Sequence, residues 1–200
     1  GESWFGVFSK AAEKSGIKIV ANERYNKTDT SATGQVLKLV SSKPDAILVA
    51  GAGTPAALPH IALNERGYQG LIYQTHGSAN SAFLKVGGKM VEKGLLPAGP
   101  ALVTEQLADT HPSKAVALNY RKIYEAKNGA GSVSTFGGYA WDAGLILQQA
   151  LPSALKKAKP GTPEFRAALR DSVEQVKDLA GVSGVYSFTP DDHSGLDERA

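Results

Sequence analysis

Residues 44–80 read PDAILVAGAGTPAALPHIALNERGYQGLIYQTHGSAN, and their punctuation decides the fold class. The apolar run Asp45–Ala50 is strand-like and is broken by Gly51-Ala52-Gly53. Thr54 is a candidate N-cap for a helix that Pro55 opens, because proline at the first helical position gives up only an N–H that has no intrahelical partner. That helix is expected to end near Gly67. Leu71–Gln74 is a second short strand, running into the polar loop Thr75–Asn80. Two parallel strands with a helix between them form a βαβ unit, which places ligand sites at the carboxyl ends of its strands. Both ends, Gly51–Thr54 and Thr75–Asn80, carry small polar residues, so function is sought there.

Outward from this unit the first hundred residues alternate helix and strand. Trp4, Phe8, Ala11 and Ala12 share one face of a helix ending near Gly16. Ile17–Tyr25 reads as a strand and Thr28–Ser31 as a loop and cap. Ala32, Val36, Leu39 and Val40 repeat the helical spacing up to Pro44, and a short helix runs through Phe83 and Leu84. Gly94–Leu96 and Ala101–Val103 read as strand pieces interrupted by Pro97 and Pro100. This pattern predicts an α/β fold with a parallel sheet flanked by helices.

The character changes after Pro100. Ser113–Asn128 reads as a helix with Val116, Tyr120, Ile123 and Tyr124 on one face. Thr135–Leu155 is a second and unusually apolar helix, with Pro152 expected to kink or end it. Thr162–Lys177 is a third, with Phe165, Ala168, Leu169 and Val176 facing inward. Gly181–Phe188 reads as a strand or hairpin and Thr189–Asp197 as a polar turn.

Composition narrows the function classes. The 200 residues carry a net charge of +3 with no arginine-rich block, which argues against nucleic acid as a partner. No run approaches the ~20 apolar residues of a membrane helix. The absence of cysteine removes disulfides, thiolate zinc sites and cysteine nucleophiles. There is no G-x-S-x-G, P-loop or complete G-x-G-x-x-G pattern: Gly51-Ala52-Gly53 is only the front of the last, with Ala56 at its third glycine position. The chain is therefore read as a binder and not an enzyme, with no cofactor. Asp191–Asp197 lacks the alternating oxygen ligands and closing glutamate of a calcium loop, and one histidine among carboxylates is thin for zinc; it reads as a solvated turn, and no metal site is expected. His60 and His111 are isolated and default to surface positions. Trp141 and Asp142 are left to packing and helix solvation.

GESW at the start, KPDAILVAG, GTPAALPHIALNERGYQG, QTHGSAN, STFGGYAWDAGLILQQAL and the closing GVSGVYSFTPDDHSGLD together resemble, in order and spacing, the type I periplasmic solute-binding proteins of ABC importers, in the branch of the leucine/isoleucine/valine-binding proteins. The resemblance covers essentially the whole chain. It implies two Rossmann-like lobes that close on a small solute, delivery to an ABC permease in the membrane, and a periplasmic or other extracytoplasmic location. Members of the family are roughly twice as long, so the chain is expected to be a fragment lacking most of lobe one. By the resemblance, 1–97 and 181–200 belong to lobe two, and 98–180 is the return segment that contributes helices to lobe one. Such a fragment by itself is expected to bind ligand weakly, and to self-associate through apolar helix faces that lack their sheet.

Five residues stand out as ligand-binding candidates. Gly53 and Thr54 lie where free N–H groups and a helix dipole suit a polar ligand atom, although an ordinary turn and cap would use the same residues. By the resemblance this loop lines the family's cleft. A lone loop histidine such as His76 is usually a surface residue. In amino-acid-binding relatives, however, the matching position typically holds an acid that pairs with the ligand ammonium. A histidine there removes the fixed negative charge and offers a donor to a carbonyl or carboxylate. The resemblance thus implies a small organic acid as solute, an aromatic or 2-oxo acid, with a branched-chain amino acid as the alternative. An α/β enzyme using His76 as acid/base and a sensor ectodomain of the same fold are the remaining classes. Phe136 and Tyr139 open the helix that relatives point toward the cleft, whereas Trp4 belongs to an apolar helix face and to packing.

Overall fold

The computed structural model describes residues 2–196; Gly1 and the end of the closing turn from Asp197 on lie outside the described residues. The chain forms two compact units, one ending at Pro97 and the other beginning at Ala98.

In the first unit, α1 (Glu2–Lys14) and α2 (Thr33–Ser41) precede the βαβ unit: β1 (Ala46–Val49), α3 (Ala57–Glu65) and β2 (Leu71–Gln74). β1 and β2 pair in parallel, with Ala46 opposite Leu71 and Val49 opposite Gln74. The alternation of a strand puts Ile47, Val49, Ile72 and Gln74 on one face, and all four are buried. Ile47, Val49 and Ile72 meet Val36 of α2 and Ala62 and Leu63 of α3 in one apolar cluster. Behind α3 a second cluster joins Ala56, Ala57, Phe83 and Val91, and Phe83 comes from α4 (Ser81–Gly87). α3 is thus covered on more than one side, which explains why its sequence is apolar nearly all round.

Three expectations need correction here. Ile17–Tyr25 carries no strand ladder, and Ile17, Ile19 and Val20 are exposed. β-branched alternation marks a chain fit for a sheet, but only a paired neighbour makes it a strand. Gly94–Leu96 yields a single parallel bridge, Leu95 to Tyr73, along the second edge of β2. Thr54 is not the cap: it is the first residue of a 3₁₀ turn, Thr54–Ala56, and Gly53 takes the capping position at φ 60°, a left-handed conformation that glycine adopts without strain. The Trp4 face of α1 also differs. Trp4 stacks on Phe8 with ring centroids 5.4 Å apart but stays 43% exposed.

The second unit is helical. Two 3₁₀ turns, Pro100–Leu102 and Thr104–Gln106, replace the expected strand at Ala101–Val103; Pro100 has no N–H to give a ladder and starts a helical turn readily. α5 (Lys114–Asn128), α6 (Thr135–Leu155) and α7 (Pro163–Val173) follow. Ser134 caps α6 by accepting from the Gly137 N–H at 3.1 Å, and Thr162 caps α7 by accepting from Phe165 N–H at 3.1 Å. α6 continues through Pro152 to Leu155, so this proline does not end it. On α5, Tyr120 is buried as expected while Ile123 is exposed. β3 (Leu179–Ala180) and β4 (Val185–Tyr186) form the expected hairpin, whose Tyr186 and Phe188 pack with Ala150 of α6 and with Val176. Residues 181–196 therefore sit in the second unit here.

Candidate functional site

The carboxyl ends of β1 and β2 are joined by hydrogen bonds. Thr75 Oγ1 donates to the Gly51 carbonyl at 2.8 Å, and the Gly53 N–H donates to the Gly77 carbonyl at 3.0 Å. Asn80 closes the second loop: its Nδ2 donates to the same Gly77 carbonyl at 2.8 Å, and its Oδ1 accepts from the Phe83 N–H at 3.0 Å, capping α4. His76 opens a 3₁₀ turn, His76–Ser78, and is half-buried. Gly53, Thr54 and His76 are thus brought to one end of the small sheet. The Gly53 N–H is not free for a ligand, as the sequence suggested, because Gly77 takes it. Thr54 is exposed.

Contact between the loops is too close for a side chain at Gly77. A Cβ there would stand 2.8 Å from both the Ala52 Cβ and the Gly51 carbonyl oxygen. Gly77→Ala is expected to push the loops apart and to cost about 1–3 kcal/mol; a chemical-denaturation midpoint equal to that of the parent protein would contradict this contact.

Beneath the loops lies a polar cluster that the sequence reading missed. His60 is 1% exposed, not a surface histidine. Its Nδ1 is 3.1 Å from Gln74 Nε2, and Gln74 Oε1 accepts from Ser78 Oγ at 2.9 Å. Burial pushes the His60 imidazole below its ordinary pKa. The signal was present: His60 lies inside the run PAALPHIAL, and a polar residue in a helix that is apolar all round has nowhere to go but inward.

Phe136 and Tyr139 belong to the second unit. They lie near the start of α6, both exposed, with rings edge to face at 6.5 Å. The Tyr139 hydroxyl is pushed up in pKa, first by burial and then by the charge of Asp142. Asp142 itself is 1% exposed and binds the hairpin, which corrects its assignment to helix solvation. It accepts from the Val182 N–H at 2.6 Å, the Ser183 N–H at 2.9 Å and the Tyr186 hydroxyl at 3.0 Å.

In the closing turn, Asp192 Oδ1 accepts from the Ser194 N–H at 2.9 Å, as a solvated turn requires. Among the described residues no group of His, Asp and Glu could hold a metal ion. His111 is half-buried and its Nδ1 accepts from the Ser113 N–H at 3.2 Å. An apolar groove of about 420 Å³, lined by Leu147, Leu169, Val173 and Phe188 among others, shares no residue with the candidate site. No helix among the described residues is long and apolar enough to cross a membrane.

A parallel β-strand pair with glycine-rich polar loops at its carboxyl ends is an α/β arrangement whose candidate ligand site lies at those ends. The model of the periplasmic binding protein family matches residues 3–198, and the chain belongs to that family. Among solved structures, an extracellular ligand-binding receptor from Rhodopseudomonas palustris HaA2 superposes with a TM-score of 0.93 at 50% identity, covering 98% of this chain and 55% of that one. A type 1 periplasmic binding protein from Bordetella pertussis Tohama I superposes at 0.74 with 21% identity, covering 95% and 53%. The leucine-binding protein LivK from Thermotoga maritima superposes at 0.71 with 21% identity, covering 92% and 48%; these last two likenesses bear on the fold. No curated protein matches. The chain thus spans about half the length of the solved relatives it matches, and its fold is that of the type I periplasmic binding proteins. The family consists of solute-binding receptors, in keeping with a binder.

Proposed function

We propose that this chain belongs to the extracytoplasmic solute-binding component of an ABC importer, which takes up a small organic acid, aromatic or 2-oxo, and presents it to a membrane permease. By the path of the chain, residues 1–97 with 181–200 are assigned to lobe two and 98–180 to the return segment, although the hairpin packs on α6 within the second unit; Gly53, Thr54, His76, Phe136 and Tyr139 are assigned to the cleft. The observation that carries the reading is the composition of the joined loops. Gly51–Thr54 and Thr75–Asn80 contain a half-buried histidine and no carboxylate, so these loops offer a ligand ammonium no counter-charge. A carboxylate or 2-oxo group, by contrast, finds an imidazole donor in His76. Phe136 and Tyr139 supply exposed aromatic surface suited to an aryl group. Transport would follow from closure of the lobes, with the solute shifting the population toward the closed form by its higher affinity for that form.

The test is titration calorimetry on the full-length protein with phenylpyruvate and with L-leucine. Micromolar or tighter binding of phenylpyruvate without binding of leucine is expected. Tight leucine binding without phenylpyruvate binding would establish the branched-chain amino acid alternative, and turnover of either compound would establish an enzyme.

A further inference from the structure

We propose that Gln74 is a positioning residue for the ligand loop: one buried amide ties the turn that carries His76 to the turn that follows β1 and to α3. The inference rests on the reading of Thr75–Asn80 as part of the ligand site.

Gln74 is the last residue of β2, and its side chain points to the core face shared with Ile72, where it is 3% exposed. An amide in that place is costly unless each polar atom finds a partner. Oε1 accepts from Ser78 Oγ at 2.9 Å, and Ser78 is the fully buried end of the His76–Ser78 turn. Nε2 donates to the Ala56 carbonyl at 3.5 Å and lies 3.1 Å from His60 Nδ1. Ala56 ends the turn that begins at Thr54, and His60 lies on α3. With Oε1 engaged by the serine hydroxyl, the second hydrogen of Nε2 goes to His60 Nδ1, which places the histidine proton on Nε2. The ring is fixed from outside as well. A Cβ at Gly94 would come within 2.3 Å of His60 Cε1, and the Phe83 ring centroid stands 6.3 Å away.

An apolar side chain would fill the same space and bury more cheaply. What it could not do is fix the His76–Ser78 turn at one rotation relative to Thr54–Ala56. Gln74 therefore separates positioning from packing. Gln74→Met keeps the volume and removes all three bonds. Gln74→Glu keeps the bond from Ser78 and lets His60 turn donor to the carboxylate, at the cost of the link to Ala56.

The experiment combines calorimetry with phenylpyruvate and NMR of ¹⁵N-histidine-labelled full-length protein. In the parent, His60 is expected in the Nε2–H tautomer. In Gln74→Met the ring resonances of His76 shift, and phenylpyruvate affinity falls about tenfold, the worth of one to two hydrogen bonds. In Gln74→Glu, His60 is protonated at Nδ1 while His76 resonances and affinity return to within about threefold of the parent. Ser78→Ala, which deletes a single hydroxyl, gives the same His76 shift and serves if Gln74→Met does not fold. Unchanged His76 resonances in Gln74→Met or Ser78→Ala overturn the proposal, as does an affinity loss in Gln74→Met that Gln74→Glu does not restore. If the parent protein binds no phenylpyruvate, the functional reading falls, and the His76 resonances alone decide whether Gln74 positions the loop.

Discussion

Asp142→Ala is expected to destabilise the second unit by about 3–6 kcal/mol, the largest loss expected from any single truncation in it. Asp142 lies on α6, and its carboxylate is the common acceptor for the Val182 and Ser183 N–H groups and the Tyr186 hydroxyl. All three donors belong to the β3–β4 hairpin, and all are buried. A buried donor left without an acceptor costs about 1–3 kcal/mol, and the alanine variant strands three together. The backbone shape of the turn depends on the same contact. A Cβ at Gly181 would stand 2.8 Å from the Asp142 carboxylate, so the chain is drawn onto the acid as closely as glycine allows. The Tyr186 hydroxyl is pushed up in pKa by burial and by that neighbouring charge, so it remains a donor throughout the neutral range. Asp142→Asn is expected to lose about half as much, because its carbonyl oxygen still accepts while its NH₂ faces a donor. A urea titration in a Trp4→Phe background, with Trp141 as the remaining fluorophore, measures both variants. A loss under about 1 kcal/mol for Asp142→Ala would show that the hairpin is held by packing alone.

Asp142 also shows where sequence reading stops. Its partners lie 40 to 44 positions away, and nothing within a helical turn of it distinguishes a buried acceptor from an acid on a solvated face. The β1–α3–β2 unit was legible because its determinants are local. Gly51-Ala52-Gly53, Pro55 and Gly67 mark the ends, and the apolar runs between them are short. β2 lies at Leu71–Gln74 as read, and β1 within one residue of the reading. Finer placement failed where one local choice competed with another. Thr54 is a good cap by residue type, but Gly53 takes the position because the chain needs a positive φ there. Ile17–Tyr25 failed for a different reason, since pairing is a property of the neighbour and not of the strand. At the candidate site, the outer residues Gly53, Thr54 and His76 could be read from the position of the loops. The buried residues behind them, His60, Gln74 and Ser78, could be found only by asking which polar side chains lie on an apolar face.

His76→Asp is the substitution expected to change specificity most. It places a carboxylate at the carboxyl end of β2, in loops that otherwise carry none. A charge-assisted hydrogen bond from a ligand ammonium is worth about 1.5–3 kcal/mol, so L-leucine affinity should rise about tenfold to a hundredfold. The same carboxylate repels an anionic 2-oxo acid and removes its imidazole donor, so phenylpyruvate affinity should fall by a similar factor or more. The two changes multiply, giving a shift in preference of about a thousandfold. His76→Asn separates the causes: it introduces no charge, so it should weaken phenylpyruvate binding without creating leucine binding. His76 is only half-buried, and Asp at the start of a short helical turn is well tolerated, so neither variant should move the denaturation midpoint appreciably. Calorimetry on the full-length protein with both ligands reads the exchange directly. If His76→Asp binds phenylpyruvate as tightly as the parent does, His76 does not face the ligand, and the absence of an acid from these loops no longer bears on which solute the protein selects.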